Sequence, residues 1–283
     1  MTIINNYKLI KKIGKGSYGE VWKARHIYRQ KDVAIKVETN GKKNTLKIET
    51  MLLRYLSNIA EIPYVKFYGE SETFNYMILE LLGNSVSDYY FNMIEKSINE
   101  LKWIGLKMLS SIRDIHGYGI IHRDIKPDNF LLTTNNKNIK IIDFGLAKHY
   151  IDCDGKHKEC VKHNNIIGTP RYISLYVHEK NTPSRRDDLI SFVYILLFLM
   201  NYSLPWQYVK GDNKEEKVNN IQNLKRRLTH NELCSNIHYK NLTVVENLKI
   251  REKMEELLNY VYSLTYDEIP NYEYIRFLLK TII

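Results

Sequence analysis

His122-Arg123-Asp124-Ile125-Lys126-Pro127-Asp128-Asn129 is the stretch that decides the fold of this chain, together with Asp143-Phe144-Gly145 shortly after it. It places carboxylates, an amide and a lysine within a few residues of one another. Transfer of a phosphoryl group needs little covalent help from a protein, but it needs close positioning and cations near the developing charge. Any one of these aspartates could be an ordinary turn residue, yet their order and spacing together predict a site for phosphoryl transfer.

Each residue type in this stretch suits one part of that chemistry. Asp124 is predicted to orient an incoming hydroxyl and to accept its proton, and Lys126 to contact the transferred phosphate. Asp143 is predicted to hold a magnesium ion that bridges the phosphates, and Asn129 to complete a second metal site, with Mn²⁺ as an alternative ion. Asp124, Lys126 and Asn129 are therefore predicted catalytic residues, and Asn129 and Asp143 are predicted metal ligands.

A glycine-rich segment, Gly14-Lys15-Gly16-Ser17-Tyr18-Gly19-Glu20-Val21, stands between two predicted strands. Glycine lets backbone N–H groups approach phosphate oxygens without a Cβ in the way. Such turns are common, and a dinucleotide-binding fold would place a helix after this one. Here a strand follows, which favours a nucleotide site of another kind. Its predicted phosphate-binding residues are Gly14, Lys15, Gly16, Ser17 and Gly19.

Lys36 lies in the short predicted strand Val33-Ala34-Ile35-Lys36-Val37. As a compact positive charge it can pair with nucleotide phosphates, so we assign it a catalytic role. Glu49 lies on the next predicted helix, where an ion pair with Lys36 would fix the lysine. The alternative is a surface salt bridge, which would contribute only about 0–1 kcal/mol.

Hydrophobic periodicity divides the chain into a β-rich first part and a helical second part. Alternating or short apolar runs before Gly83 predict strands, interrupted by one helix-spaced stripe. After Gly83 the apolar residues step by three and four, which predicts helices. We therefore predict an α+β, bilobal fold with a small β-rich lobe at 1–82, which contains one main helix, a hinge near 80–83, and a larger α-helical lobe at 83–283. The predicted strands include Tyr7–Ile13, Glu20–Ala24, Val33–Val37 and two short strands around 135–138, and the predicted helices include Leu46–Leu56, Asn99–His116 and the buried Leu189–Met200.

Composition and charge restrict the class of protein. Of the 283 residues 44% are hydrophobic and 26% charged, as in globular proteins. The net charge of +10 favours acidic or phosphorylated partners, although a nucleic-acid surface would also fit. Three cysteines without zinc spacing predict reduced thiols in an intracellular protein. No signal pattern opens the chain, and its longest apolar run is too short to span a membrane. We expect a monomer in the cytoplasm, with the nucleus as a second location, and no membrane association.

These motifs resemble those of the eukaryotic protein kinase superfamily, and five segments resemble the casein kinase I group of serine/threonine kinases in particular. The resemblance runs from Tyr7 to the C-terminus, so it implies a single kinase domain over 7–283. The five segments are Leu81-Leu82-Gly83, 122–131, 141–148, Ser184-Arg185-Arg186-Asp187-Asp188-Leu189 and Leu204-Pro205-Trp206-Gln207.

The resemblance implies transfer of the ATP γ-phosphate to serine or threonine hydroxyls of other proteins. Basic residues near the activation segment resemble this family's phosphate-recognition site, which implies substrates with acidic or phosphorylated residues before the target. Arg123, Arg171 and Lys217 stand at the matching positions, although Lys217 could instead be a solvated helix lysine. Register with the motifs implies an ATP site that includes Lys36, Glu49 and Asp143, with adenine among Ile13, Val21, Ala34, Leu79, Leu131 and Ile142 and with backbone groups of Glu80 and Leu82 at its edge.

The segment after Asp143 departs from the family pattern in ways that bear on substrate and regulation. Pro170 replaces the usual alanine, and Ser174-Leu175-Tyr176 replaces Ser-x-Asn, which puts the peptide preference in doubt. No phospho-acceptor stands at the middle of the activation segment, 143–174, and we expect no restraining tail after Ile283. We therefore expect constitutive activity. By family position, Asp188 is expected to be a buried brace beneath the catalytic loop.

Three other functions remain open on the sequence alone. A pseudokinase scaffold would be expected to lack Lys36, Asp124 or Asp143, and all three are present. A nucleic-acid-binding protein is suggested by the pI of about 9.2 and by Lys225-Arg226-Arg227, but no recognition motif accompanies that charge. That triplet is interpreted as a solvated helix end or as part of a nuclear import signal. The third alternative is a related kinase group that acts on chromatin or on tubulin-associated proteins. The run Ser184–Asp188 favours casein kinase I over these groups.

Overall fold

The computed structural model describes residues 3–16, 19–40 and 45–282, and the chain divides into two compact units. The first unit comprises Met1–Asn84 and Phe130–Gly145, and the second comprises Ser85–Asn129 and Leu146–Ile283. The first is β-rich and the second is helical, which confirms the predicted α+β class. The elements in chain order are β1 (Ile3–Ile4), β2 (Tyr7–Gly16), β3 (Gly19–His26), β4 (Asp32–Thr39), α1 (Thr45–Tyr55), β5 (Val65–Glu70), β6 (Phe74–Glu80), α2 (Val86–Phe91), α3 (Ile98–Gly117), β7 (Ile120–Ile121), β8 (Phe130–Leu132), β9 (Ile139–Ile141), β10 (Lys148–His149), α4 (Leu175–His178), α5 (Arg185–Asn201), α6 (Lys214–Arg227), α7 (His230–Cys234), α8 (Val244–Ser263) and α9 (Tyr272–Lys280).

Six antiparallel strands form one sheet in the first unit, in the order β1-β2-β3-β4-β6-β5. Successive side chains of a strand point to opposite faces. In β4, Val33 and Ile35 are fully buried in a cluster with Ala24 and Ile78. Because Ala34 and Lys36 alternate with these residues, they lie on the opposite face. The β-branched core residues therefore decide which face of the sheet presents Lys36.

The hairpin of β8 and β9 belongs to the first unit, although it follows the first helices of the second unit in the chain. The backbone N–H of Gly83 donates to the carbonyl of Leu132 at 2.7 Å, and that of Leu132 donates to Asn84 at 2.9 Å. Ile141 donates to the carbonyl of Glu61 at 3.0 Å. The sequence analysis divides the chain once, between residues 82 and 83. The compact units differ from that division, because these backbone bonds attach 130–145 to the first unit.

Helix α5 forms the centre of the second unit. All its residues from Leu189 to Met200 are buried, as predicted for this apolar run. A helix that is apolar on all sides is stable only when its neighbours cover it, and α3 and α8 are among the helices that pack on it. The amphipathic α3 starts and ends within one residue of the predicted Asn99–His116. In the part of the chain that the structure describes, no helix combines the length and apolarity that crossing a membrane would require.

Candidate active site

In the first unit, Lys36 lies between two carboxylates. Its Nζ is 2.7 Å from Oε2 and 2.9 Å from Oε1 of Glu49, and 2.9 Å from Oδ1 of Asp143. Lys36 belongs to β4, and Glu49 lies on the face of α1 that also buries Leu46 and Leu53. The predicted ion pair between Lys36 and Glu49 is therefore present, and Asp143 extends it to a cluster of three charges.

Burial and charge act in opposite directions on this cluster. Only 12% of the Lys36 side chain and 4% of the Glu49 side chain are exposed. Burial lowers the pKa of Lys36, but the carboxylates of Glu49 and Asp143 raise it by more, so the net pKa lies above its usual value. Burial raises the pKa of Glu49, and the charge of Lys36 opposes that rise. Lys36 therefore stays cationic and held in place, as contact with phosphate oxygens would require.

Asp143 has the properties expected of a ligand for a divalent cation. Its side chain is 35% exposed, and its backbone is left-handed with a φ of 66°. Such a backbone is uncommon outside glycine and is concentrated at functional sites. Among the described residues, no group of three or more His, Cys, Asp or Glu side chains could hold a metal ion by itself. Magnesium commonly takes one or two protein ligands and completes its shell with water and substrate phosphates, so Asp143 fits such an ion.

The face of the sheet that carries Lys36 also carries predicted adenine contacts. In the strand register Lys36 is paired with Val21, and Ala34 is paired with Leu79. Leu82 is a partly exposed residue, and none of the described residues forms a hydrogen bond with its backbone, so its backbone groups are available to meet the edge of a base. Ser17 lies outside the described residues. The other residues predicted to bind ATP all belong to the first unit, and besides those already placed they are Ile13, Gly14, Lys15, Gly16, Gly19, Glu80, Leu131 and Ile142.

Gly19 is the glycine of the Gly-rich segment that the fold itself requires. Its φ is 151°, and a Cβ at this position would lie 2.0 Å from the carbonyl oxygen of Val37. A Cβ on Gly14 would instead meet Val21 at an ordinary 3.5 Å. Packing alone therefore explains glycine at 19, whereas at 14 it does not.

In the second unit, Asp124 is held by three side chains. Its Oδ2 lies 2.6 Å from Nζ of Lys126, and its Oδ1 accepts a hydrogen bond from the Thr169 hydroxyl at 2.7 Å. The Asn129 amide nitrogen donates to the Asp124 carbonyl at 2.8 Å. Only 8% of Asp124 is exposed. The three residues predicted to be catalytic in this loop are thus brought together, and Thr169 joins them.

Asp188, at the start of α5, braces the loop that carries Asp124. Its carboxylate accepts hydrogen bonds from the backbone N–H groups of His122 at 2.7 Å and Arg123 at 2.9 Å. Arg123 has a left-handed backbone with a φ of 68°, which the two bonds hold in place. Burial acts to raise the pKa of Asp188, but the hydrogen bonds that it accepts, first of all from His116 and also from the backbone of His122, lower it by more, so Asp188 is ionised. The predicted brace is confirmed.

His116 extends this brace to α9, a connection that the sequence analysis missed. Its Nε2 is 3.1 Å from Oδ2 of Asp188, and its Nδ1 is 2.7 Å from the hydroxyl of Tyr272. Burial lowers the pKa of His116, and Asp188 partly offsets that shift. The available signal was that His116 continues the apolar stripe of α3 through Ile112 and Ile115, which predicts that it is buried.

The three residues predicted to recognise a substrate phosphate lie on three different elements of the second unit. Arg123 is on the catalytic loop, where its Nε donates to the carbonyl of Leu146 at 2.5 Å. Arg171 is partly exposed in the segment before α4, and its carbonyl accepts a hydrogen bond from Trp206 at 2.7 Å. Lys217 is exposed near the start of α6. Their roles stay predictions.

The triplet Lys225-Arg226-Arg227 is not uniformly solvated, so that interpretation was wrong for its first member. Arg226 and Arg227 are exposed, but Lys225 is 3% exposed. Helical spacing explains this, because Lys225 is one turn after the buried Ile221 on the same face of α6. Burial lowers the pKa of Lys225 well below its usual value.

A cavity of about 340 Å³ lies between α3 and α9 in the second unit. It is not the site that the motifs predict. Its charged residues include Arg113 and Glu273, which lie 3.8 Å apart. None of the residues predicted from the motifs lines it. We therefore locate the candidate site by the side-chain arrangements around Lys36 and Asp124.

The two arrangements are those that the protein kinase motifs imply, and a family model matches most of the chain. The model described as "Protein kinase domain" matches residues 7–269. This chain belongs to the protein kinase family. The kinase is accordingly a phosphotransferase that uses ATP and a divalent cation. The match ends just before α9, so Tyr272, which contacts His116, lies beyond the matched residues.

Proposed function

We propose that this kinase is a serine/threonine kinase of the casein kinase I type, which transfers the γ-phosphate of ATP to hydroxyls that follow acidic or phosphorylated residues. The observation that carries this proposal is the hydrogen bond that the Asp124 carboxylate accepts. Its Oδ1 already accepts a hydrogen bond from the aliphatic hydroxyl of Thr169. A serine or threonine of a substrate would present the same donor to the same carboxylate.

The chain's own residues supply positioning and proton transfer. Asp124 orients the substrate hydroxyl and accepts its proton as the oxygen bonds to the γ-phosphorus and the bond to ADP breaks. Lys126, held 2.6 Å from Asp124, is near enough to that oxygen to contact the transferred phosphate. Lys36 pairs with the ATP phosphates while Glu49 holds its ammonium group in place.

Magnesium is the cation that we propose, with manganese as a substitute. It would be held by Asp143 and by Asn129, whose amide nitrogen is occupied by Asp124, so that its amide oxygen is the atom for the metal. When bound, the ion neutralises the charge that develops on the phosphate oxygens. Magnesium does not need a site made only of protein ligands. Among the described residues, no group of three or more His, Cys, Asp or Glu side chains forms such a site.

Recognition of acidic or phosphorylated substrates is supported by charge and by the placement of Arg171. The chain carries a net charge of +10. Arg171 is two residues after Thr169, which contacts Asp124, so a phosphate on the substrate near its target hydroxyl could reach the guanidinium. Arg123 and Lys217 are the two further cations of this proposed set.

Constitutive activity is supported by contacts that need no phosphorylated residue. The pair of Lys36 and Glu49, the bond between Thr169 and Asp124, and the brace from Asp188 all form in the unmodified chain. Phosphorylation elsewhere in the kinase would therefore not be needed to assemble them.

The experiment uses bacterially expressed, phosphatase-treated kinase and three matched serine peptides. The first carries a phosphoserine before the target, the second an aspartate there, and the third an alanine. We expect transfer to all three, with kcat/KM in the order phosphoserine, aspartate, alanine. Charge reversal by Arg171→Glu should reduce the phosphoserine rate far more than the alanine rate, whereas Asp124→Asn should abolish all three.

Three results would contradict the proposal. Equal losses on primed and unprimed peptides in the Arg171→Glu variant would remove the phosphate-recognition role. An inactive wild-type kinase after phosphatase treatment would refute constitutive activity. A tyrosine version of the best peptide, phosphorylated as fast as the serine version, would refute the serine/threonine assignment.

A further inference from the structure

Lys225 is buried without an acidic partner. It is 3% exposed, and among the described residues no aspartate or glutamate forms an ion pair with it. Lysine is almost never fully buried unless it is paired, because burying an unpaired ammonium group is costly. A surface helix such as α6 could place this side chain in water at little cost. The burial of Lys225 therefore indicates that its ammonium group has polar partners inside the second unit.

The partners of Lys225 are two carbonyl groups and two aromatic rings. Its Nζ donates to the carbonyl of Pro170 at 2.9 Å and to that of Ile173 at 2.6 Å. The same nitrogen lies 5.0 Å from the ring centre of Tyr194 and 4.9 Å from that of Trp206. Carbonyl oxygens and ring faces both attract an ammonium group. They offset part of the cost of its burial.

Both carbonyls belong to one short segment, Thr169–Ile173, which has little regular structure of its own. Within it, the N–H of Tyr172 donates to the carbonyl of Thr169 at 2.9 Å. From outside, Trp206 donates to the carbonyl of Arg171 at 2.7 Å. Side chains from α6 and from the turn after α5 thus hold the carbonyls of three of its five residues.

This segment carries the groups that face the peptide in the proposed reaction. Thr169 at its start bonds to Asp124, and Arg171 lies at its middle, between the two carbonyls that Lys225 binds. We propose that Lys225 is a positioning residue, which fixes Thr169–Ile173 for the peptide substrate by binding the carbonyls of Pro170 and Ile173. Lys225 touches neither substrate nor ATP, and it acts through Arg171 and Thr169. The inference rests on the proposed function only in taking a peptide as the substrate.

The test replaces Lys225 with methionine, which has a similar length and no donor. The kinetic constants are measured with the alanine peptide and with the phosphoserine peptide at saturating ATP, and then with ATP varied. We expect the KM for peptide to rise about tenfold, as expected for the loss of two buried hydrogen bonds, and the KM for ATP to stay within about twofold. Arg227→Met is the matched control, because it removes a positive charge from an exposed position of the same helix. Its constants should equal those of the wild type.

A second variant keeps the inference testable if Lys225→Met does not fold. Trp206→Phe removes the donor to the carbonyl of Arg171 but retains an aromatic ring, and it should raise the peptide KM in the same direction. A purely structural role would instead lower the melting temperature and kcat, with the peptide KM unchanged in both variants, and that result would overturn the inference. If the wild type showed no preference for the phosphoserine peptide, the proposed substrate class would fail, whereas the KM comparison on the alanine peptide would still decide the role of Lys225.

Discussion

Replacing Thr169 with valine removes one hydroxyl and leaves a side chain of nearly the same shape. That hydroxyl donates to Oδ1 of Asp124 at 2.7 Å, and Asp124 is 8% exposed, so water cannot easily replace it. A hydrogen bond to a charged group contributes about 1.5–3 kcal/mol. About 1.36 kcal/mol corresponds to a factor of ten in rate. We therefore expect kcat/KM for a peptide to fall about 10- to 150-fold.

The assay is steady-state phosphorylation of one serine peptide by the wild type, Thr169→Val and Thr169→Ser. The serine variant keeps the hydroxyl, so it should retain most of the activity. Lys126 and Asn129 still hold Asp124 in the valine variant, so its loss should be smaller than that of Asp124→Asn. Thermal unfolding of each variant separates a catalytic effect from loss of folded protein. A valine variant with wild-type kcat/KM would refute the role of this hydrogen bond in holding Asp124.

Three further predictions concern stability and nucleotide binding. Burial lowers the pKa of His178 to about 3 from 6.5, so the folded state disfavours its protonation and loses stability as pH falls below 6.5. Urea unfolding of the wild type should show a loss of about 2 kcal/mol between pH 7 and pH 5 from this group, and His178→Gln should lack that component. Asp188→Asn places an amide N–H₂ against backbone donors, so we expect a loss of about 3 kcal/mol in urea unfolding and a lower kcat. Glu49→Gln leaves Lys36 with a single carboxylate, Asp143, and should raise the KM for ATP about tenfold in steady-state assays.

Each of these has an outcome that would contradict it. Parallel pH–stability curves for the wild type and His178→Gln would show that the histidine is not buried in its neutral form. Unchanged unfolding of Asp188→Asn would mean that the brace contributes nothing to the folded state. If Glu49→Gln left the KM for ATP unchanged and raised the peptide KM instead, the pair of Lys36 and Glu49 would have no role in binding ATP.

Much of the fold could be predicted from the sequence because its signals are local. The alternation in β4 and the helical stripe of α3 are patterns within single elements, and both elements lie where they were expected. The catalytic loop could also be predicted, since Asp124, Lys126 and Asn129 are near neighbours in the chain. The attachment of β8 and β9 to the first unit could not, because it depends on backbone bonds to distant residues such as Glu61.

The residues that the sequence analysis missed or misread are those whose role depends on distant partners. His116 has no motif around it, and its bond to Asp188 joins residues 72 positions apart. Lys225 is part of a basic triplet that reads as solvated, and its partner Pro170 is 55 positions away. Thr169 was not assigned a role from the sequence, whereas its hydroxyl donates to Asp124, 45 positions away.

The sequence by itself determined which chemical groups this kinase offers for phosphoryl transfer, because the predicted carboxylates, amide and lysines stand in motifs of fixed order. Tertiary structure alone decided how those groups are held. Lys36 meets Asp143 across 107 positions of the chain, and Asp188 and Lys225 support loops far from them in sequence. The physical reason is that a hydrogen bond or an ion pair depends on separation in space, which local patterns specify within one element but not between elements.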